Sequence, residues 1–408
     1  MSEKLEVAQA RLLNLVQCMP KETVGLSESW RRILAETVLS DMDFPPFDRS
    51  PLDGYALIAK EVTDALSDNP VILRQVDYVC AGDTPHNNIT PGTACRIMTG
   101  APLPLGATGV VRIEDTISDG GMITILDGRG TEKNICFKGE EIVSGEEVIP
   151  AGTMINAGVI GMLAVLGKAH ICVFRKPQVA IIATGSEIIP ADLRLTPGKI
   201  RNSNSYMIGA QVMDAGGESV FMSNVQDDAD EIAHMLEQAS ACDIVITTGG
   251  ASVGDCDLIG EAYKKLGIEL LFGRVSIKPG MPVMAGQRNG KLYLGLSGNP
   301  ASAAISFEQL ARPVLMKMCG HKTWWRPRIK AILAIPFNKS TKAKRFVWSR
   351  CWQTDNGILV EPLHLQSNGM LKSAMVANSL IVIPENTPPL PRGSKVEAIL
   401  LVNAYNWV

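Results

Sequence analysis

Val179-Ala180-Ile181-Ile182-Ala183, followed at once by Thr184-Gly185-Ser186-Glu187, decides how the middle of the chain is read. Five apolar residues without polar alternation describe a strand buried on both faces, and the small polar residues after them describe a loop at its C-terminal end. Downstream the pattern repeats. A helix-like segment covers 203–215, a strand 219–225, a helix 228–239, a strand 243–248 and a helix-like segment 257–266. Strands follow at 270–277 and 291–296, then a helix from 300 to about 318. Strands alternating with helices imply βαβ crossovers, a largely parallel sheet and helices on both of its faces.

Upstream the texture differs. Leu5, Ala8, Leu12 and Leu15 recur at helical spacing, so 2–18 reads as an amphipathic helix, and Ser27 is placed to cap a second helix over 27–39. The prolines in Asp41-Met42-Asp43-Phe44-Pro45-Pro46-Phe47-Asp48 forbid a helix interior. From Val71 to about Pro150, short apolar runs separated by Gly and Pro describe small antiparallel strands. After His321 the chain returns to short strands at 329–335, 358–361, 380–383 and 396–402, a separate small β domain. The fold class expected is therefore α/β multidomain, a central three-layer α/β/α domain with separate small β-rich domains.

Composition narrows the function classes. A chain of 408 residues is too long for one core and implies several domains. A net charge of -3 supplies no strong field toward nucleic acid or an acidic membrane. The nine cysteines form no C-x-x-C pair, which reads as reduced thiols in a cytosolic protein rather than a zinc or redox motif. The first residues carry an early acid and no apolar segment of signal-peptide type, and the apolar stretch 157–167 is too short to span a bilayer.

In an open α/β sheet, ligands bind beyond the C-terminal ends of the strands. Four strand ends here carry unusual loops: Thr184-Gly185-Ser186-Glu187; Thr248-Gly249-Gly250 running on through Ser252 and Asp255 to Asp257; Lys278-Pro279-Gly280-Met281-Pro282; and Ser297-Gly298-Asn299-Pro300. Glycines let backbone N–H groups approach an anion. Asn299-Pro300 suits an N-cap and first helical position, whose helix start favours phosphate. Lys278 adds a point charge. Glu187, Asp255 and Asp257, with Asp227 and Asp228 after the preceding strand, would repel a phosphate unless a hard cation bridges them. Phosphate-type loops among carboxylates thus suggest a Mg²⁺-nucleotide or Mg²⁺-pyrophosphate ligand. The bland readings are a turn for one Gly-Gly pair, a plain helix start for Asn299-Pro300 and a solvated loop acid for Asp255; four such loops on one sheet outweigh them. The five histidines show no metal-ligand spacing.

These loops, in order, resemble the molybdopterin molybdenumtransferase family (MoeA, and the matching domain of gephyrin). The likeness extends beyond them to Pro46-Phe47-Asp48-Arg49-Ser50-Pro51-Leu52-Asp53-Gly54-Tyr55-Ala56, to Thr99-Gly100-Ala101-Pro102-Leu103-Pro104, and to Asn134-Ile135 with Gly139-Glu140. The resemblance implies an elongated protomer with domains at 1–47 plus 142–176 (N-terminal and linker), 48–141 (small β-rich), 177–322 (molybdopterin-binding α/β) and 323–408 (C-terminal β-barrel-like). It implies a cytoplasmic homodimer whose sites lie between subunits. It also implies insertion of molybdate into adenylated molybdopterin with release of AMP and a divalent cation such as Mg²⁺, with molybdopterin adenylyltransferase and molybdoenzyme maturation proteins as further partners.

Carried over by motif, the resemblance implies that Asp53, Glu187, Asp257 and Lys278 would be catalytic. Thr99, Gly249, Gly250, Ser252, Ser297, Gly298, Asn299, Arg345 and Arg350 bind substrate, and Glu187, Asp227, Asp228 and Asp257 hold the cation. Four positions depart from the family pattern: Cys136 for Arg, Glu141 for Asp, Ser297 for Pro, and Met281 where some members have Lys. Cys136 and Glu141 favour, as alternatives, a non-catalytic molybdopterin carrier or a tungstate-specific paralogue. A pyridine-nucleotide amidohydrolase of the competence-damage type is a further rival, opposed by the 47–56 and 134–140 segments.

Overall fold

The computed structural model describes residues 2–250 and 258–401, which form two compact units. The first contains residues up to 35, 152–157 and 170 onward; the second contains 36–151 and 158–169. The boundaries expected near 47 and 141 fall inside the second unit, and the one expected near 322 falls inside the first.

The first unit is built on a six-stranded sheet. Its strands are β1 (Gln178–Thr184), β2 (Glu218–Val225), β3 (Ile244–Thr248), β4 (Glu269–Arg274), β5 (Pro282–Arg288) and β6 (Lys291–Leu296), in the order β2-β1-β3-β6-β5-β4. The four from β2 to β6 are parallel, and β5 and β4 add antiparallel at one side. Alternate residues of β1 feed two cores. Val179 and Ile181 pack with Ile208 and Val212 of α1 (Asn204–Asp214) and with the helical run that begins at Pro300. Ala180 and Ile182 pack with α2 (Ala229–Gln238) and α3 (Leu258–Leu266). The expected three-layer α/β/α arrangement is present. The crossover through α1 places β2 on one side of β1, and the chain then returns to place β3 on the other. Ligands collect at such a switch point.

The N-terminal helix, Leu5–Leu15, buries Leu5, Ala8 and Leu12 in the same core as α1. The C-terminal strands close on themselves. Lys344–Thr354 pairs with both Gly357–Pro362 and Ser379–Ile383, and Arg328–Leu333 and Lys395–Leu400 complete the ring, a small barrel. The short strand Ile277–Lys278 adds to its edge, pairing Lys278 with Arg345.

The second unit holds a six-stranded sheet in which Gly54–Leu57 lies between Gly109–Arg112 and Thr93–Ile97. Its strands are antiparallel except for Val71–Val79 beside Thr93–Ile97, which run parallel.

The expected helix over 27–39 is absent. A 3₁₀ turn covers Leu26–Glu28. Arg31 adopts a φ of 62°, a left-handed conformation that a helix interior excludes. Ile33 and Leu34 then bridge Met154 and Val173, burying both side chains as extended chain. Ser27 lies inside the 3₁₀ turn rather than capping a helix, and the consecutive buried residues Ile33 and Leu34 suit extended chain.

Candidate active site

A cleft of about 940 Å³ opens beyond the C-terminal ends of β1, β3 and β6. All four glycine-bearing loops reach it: Thr184, Gly185 and Glu187 from the first, Gly249 and Gly250 from the second, Pro282 from the third, and Ser297 to Pro300 from the fourth. Asp227, after β2, completes the acidic side.

Gly249 shows why that loop needs glycine. Its φ is 100°, and a Cβ there would stand 2.1 Å from the Thr184 carbonyl oxygen. The β1 and β3 loops are thereby pressed backbone to backbone. The Gly249 N–H is already spent on the Leu296 carbonyl at 3.2 Å, so this glycine supplies shape rather than an anion-binding donor. Asn299 is the N-cap of the helix Pro300–Ser306, and Pro300 occupies its first turn, both as expected. The Ala301 N–H, however, donates to the Asn368 carbonyl at 3.0 Å, which removes one of the free donors a helix start offers an anion. Ser297 Oγ accepts the Asn299 N–H at 3.2 Å.

On the acidic side, Asp227 and Ser186 are tied together. The Ser186 N–H donates to Asp227 Oδ2 at 3.1 Å, and the Asp227 N–H reaches Ser186 Oγ at 3.4 Å. Lys199 Nζ donates to the Ser186 carbonyl at 2.5 Å. Asp228 is occupied elsewhere: its Oδ1 accepts the N–H groups of Asp230 and Glu231 at 2.9 Å each and caps α2. Asp228 does not line the cleft, and neither does Lys278. Among the described residues, no three His, Cys, Asp or Glu side chains come together as a metal cluster. Ser252, Asp255 and Asp257 lie outside the described residues.

Arg345 and Arg350 sit on one barrel strand, five residues apart in unbroken register. Odd spacing sends them to opposite faces. Arg345 shares its face with Val347 and Cys351 of the barrel core and lies 5.7 Å from the Phe337 ring centre. Burial pushes its guanidinium down from the ordinary value. Arg350, on the other face, is exposed. The two cations do not converge.

Sequence reading missed part of the cleft wall. Arg201, Asn202 and Asn204 line it. Asn202 Nδ2 donates to Asn224 Oδ1 at 2.6 Å and to Ser205 Oγ at 2.9 Å, tying the start of α1 to the end of β2. The signal was the run Arg201-Asn202-Ser203-Asn204 before the helix, with more polar side chains than one cap requires.

In the second unit, Asp53 and Thr99 meet as their motifs suggest. Thr99 donates both its N–H and its hydroxyl to Asp53 Oδ1, each at 2.8 Å. These bonds hold the Asp53 carboxyl below the ordinary carboxylate range. Arg96 Nη1 donates to the Gly54 carbonyl at 2.9 Å, and Ile113 N–H to the Asp53 carbonyl at 3.0 Å. At the Cys136 departure, backbone bonds of 2.9 and 3.0 Å join Cys136 and Arg49 in both directions, and burial, first, with Glu140 raises the thiol's pKa.

An α/β domain with a glycine-rich, partly acidic cleft at its switch point, flanked in sequence by a β-rich region and a β-barrel, defines the class. Comparison with known proteins narrows it. Residues 3–167 match the MoeA N-terminal region (domains I and II), 180–317 the probable molybdopterin binding domain, and 330–401 the MoeA C-terminal region (domain IV). The molybdopterin molybdenumtransferase of Staphylococcus aureus strain MRSA252 is 37% identical over 391 residues, 96% of this chain and 93% of that one. That of Bacillus subtilis strain 168 is 36% identical, over 95% and 91%. A crystal structure of a molybdopterin biosynthesis MoeA protein from Pyrococcus horikoshii OT3 superposes with a TM-score of 0.82 at 31% identity, covering 98% of this chain and 100% of that one. The chain belongs to the molybdopterin molybdenumtransferase family, a family of transferases in molybdenum cofactor biosynthesis. Its likeness runs well beyond the α/β domain, unlike that expected of the amidohydrolase rival.

Proposed function

We propose that this chain inserts molybdate into adenylated molybdopterin and releases AMP. The observation that carries the reading is the cleft, where Glu187 and Asp227 stand beside the glycine loops of β3 and β6 within one wall. An anionic substrate with a phosphoanhydride suits such a wall only with charge compensation.

Mg²⁺ takes one or two carboxylates and completes its shell from substrate phosphate and water, so Glu187 and Asp227 are a fitting donor pair, with Asp257 implied by family resemblance. Bound there, the ion would neutralise charge on the phosphoanhydride. The chain's own groups do the rest. The Thr184–Gly249 backbone contact shapes the floor, and Ser297 stands in the wall. Molybdopterin brings its own dithiolene sulfurs, so insertion needs no protein Cys or His cluster. Asp53, fixed by Thr99 and ionised, is assigned to the metal-insertion step; Lys278, outside the cleft lining, and Arg345 and Arg350, on opposite faces of one strand, are not assigned to this cleft. The working form is a cytoplasmic homodimer that receives its substrate from molybdopterin adenylyltransferase and passes its product to molybdoenzyme maturation proteins.

The test is single-turnover release of AMP from adenylated molybdopterin by the purified chain, with and without molybdate. Molybdate-dependent release supports the transferase. Stable binding of the substrate with no AMP released under either condition refutes it.

A further inference from the structure

The cleft wall carries charge of both signs. Glu187 and Asp227 are its acids, and Arg201 is the one lysine, arginine or histidine among the described residues that line it.

A short parallel ribbon places Arg201. Ile188–Ile189 pairs with Ile200–Arg201, and Arg201 stands opposite Ile189. The Ile200 N–H donates to the Glu187 carbonyl at 2.9 Å, and the Asn202 N–H to the Ile189 carbonyl at 2.8 Å, so the backbone is pinned on both sides of Arg201. Asn202 is itself buried and tied to Ser205 and Asn224. An exposed side chain is thereby carried on a fixed backbone, one residue beyond the contact with Glu187.

Arg201 Nε donates to the Leu193 carbonyl at 3.2 Å, which steadies the guanidinium. That is its one side-chain bond among the described residues, so the N–H donors of both Nη groups are uncommitted, and neither Glu187 nor Asp227 pairs with it. Lys199 nearby is spent on the Ser186 carbonyl. Backbone donors are also scarce: the Gly249 and Ala301 N–H groups already serve the Leu296 and Asn368 carbonyls. A phosphate entering this cleft therefore needs side-chain donors and positive charge. The planar fork of a guanidinium matches two phosphate oxygens at once, which the point charge of a lysine does not.

Resting on the function proposed above, we propose that Arg201 is a substrate-binding residue whose Nη groups hold a phosphate of the substrate. It supplies the protein's own share of the charge compensation that the acidic wall requires. The phosphoanhydride offers two such groups, one on the nucleoside side and one on the pterin side, and the experiment separates them.

Binding of four probes is measured by calorimetry at one fixed magnesium concentration: AMP against adenosine, and hydroxymethylpterin phosphate against hydroxymethylpterin. In the unmodified protein at least one phosphorylated probe outbinds its partner by about tenfold or more, the scale of charge-assisted hydrogen bonds to phosphate. The pair whose ratio depends on Arg201 identifies the phosphate held. Arg201→Ala brings that ratio close to one and leaves the affinity for the unphosphorylated partner unchanged, a split that a merely structural role would not give. Arg201→Lys, which keeps the charge and loses the fork, gives an intermediate ratio. Ratios that survive in Arg201→Ala overturn the inference, as does equal weakening of both members of a pair. Full retention in Arg201→Lys overturns the two-pronged contact. Failure of the unmodified protein to bind any of the four refutes the parent reading as well, an outcome distinct from phosphate-dependent binding that ignores Arg201.

Discussion

Asp53 is gripped from several directions: two donors from Thr99 on one carboxylate oxygen, Ile113 on its own carbonyl, and Arg96 on the next carbonyl along. Gly54 beside it approaches the neighbouring strand so closely that a Cβ would fall 1.8 Å from the Val111 carbonyl oxygen. A carboxylate so restrained is preorganised for electrostatic work. Asp53→Asn should lower the rate of AMP release by about a hundredfold or more while leaving the melting temperature within a degree or two, since the amide keeps the shape. A rate within threefold of the unmodified protein would remove Asp53 from the reaction. Gly249→Ala is expected to destabilise by several kcal/mol, on the order of 3, because it adds both a left-handed φ and a backbone clash; an unchanged urea midpoint would contradict the close contact. The Gly249 position was legible in the sequence because glycine beyond a buried strand leaves a local signal, and Asp53 was singled out by the resemblance of its motif to a known family's. Asn204 was not. Its place in the cleft wall depends on Thr248 and Gly298, distant in sequence.

At the scale of elements, reading succeeded where a single burial pattern ruled a segment. β1 and β3 are buried on both faces and appear as plain apolar runs. α2, expected over 228–239, spans Ala229–Gln238 with Asp228 as its cap. Reading failed on the barrel strand Lys344–Thr354. Val347 and Cys351 face the barrel core while Phe346 and Trp348 face the α/β core, and charged residues interrupt the run, so no alternation shows. It failed also on β5, which begins at Pro282 and contains Gly286, residues that usually argue against a strand. The helical run after Pro300 contains a π turn at Phe307–Ala311, and Glu308 in that turn pairs with Arg326 at 2.7 Å in a nearly dry setting. Asp214 binds the other side of Arg326 at 2.6 Å, and Arg312 Nε lies 3.7 Å from Glu308. Glu308→Ala leaves Arg326 and Arg312 partly buried with their main counter-charge gone. A loss of about 3 kcal/mol in unfolding free energy is expected. A loss below about 1 kcal/mol would show the network to be dispensable.

For the molecule as a whole, acid should weaken the fold through His321. Burial, then the positive charges of Arg312 and Arg31, push its pKa down from 6.5 to about 4. The folded state therefore keeps His321 neutral while the unfolded chain takes up a proton below about 6.5. Stability contributed by this group is complete above that pH and is lost as pH falls toward 4. In His321→Gln the decline in melting temperature between pH 6.5 and 4 should be shallower than in the unmodified protein. Identical slopes would show that other groups govern acid sensitivity. Sedimentation of the purified chain tests the proposed dimer, with a mass near twice 43.9 kDa expected and a monomer at micromolar concentration contradicting it.

The most direct trial of the central claim, that the cleft of β1, β3 and β6 exchanges the adenylate of molybdopterin for metal, is a single-turnover assay with enzyme in excess over adenylated molybdopterin. On addition of molybdate, AMP should appear in amounts equal to the substrate bound, and the dithiolene should acquire molybdenum in step with it. AMP appearing at the same rate without molybdate, or molybdenum acquired with no AMP released, would contradict the account.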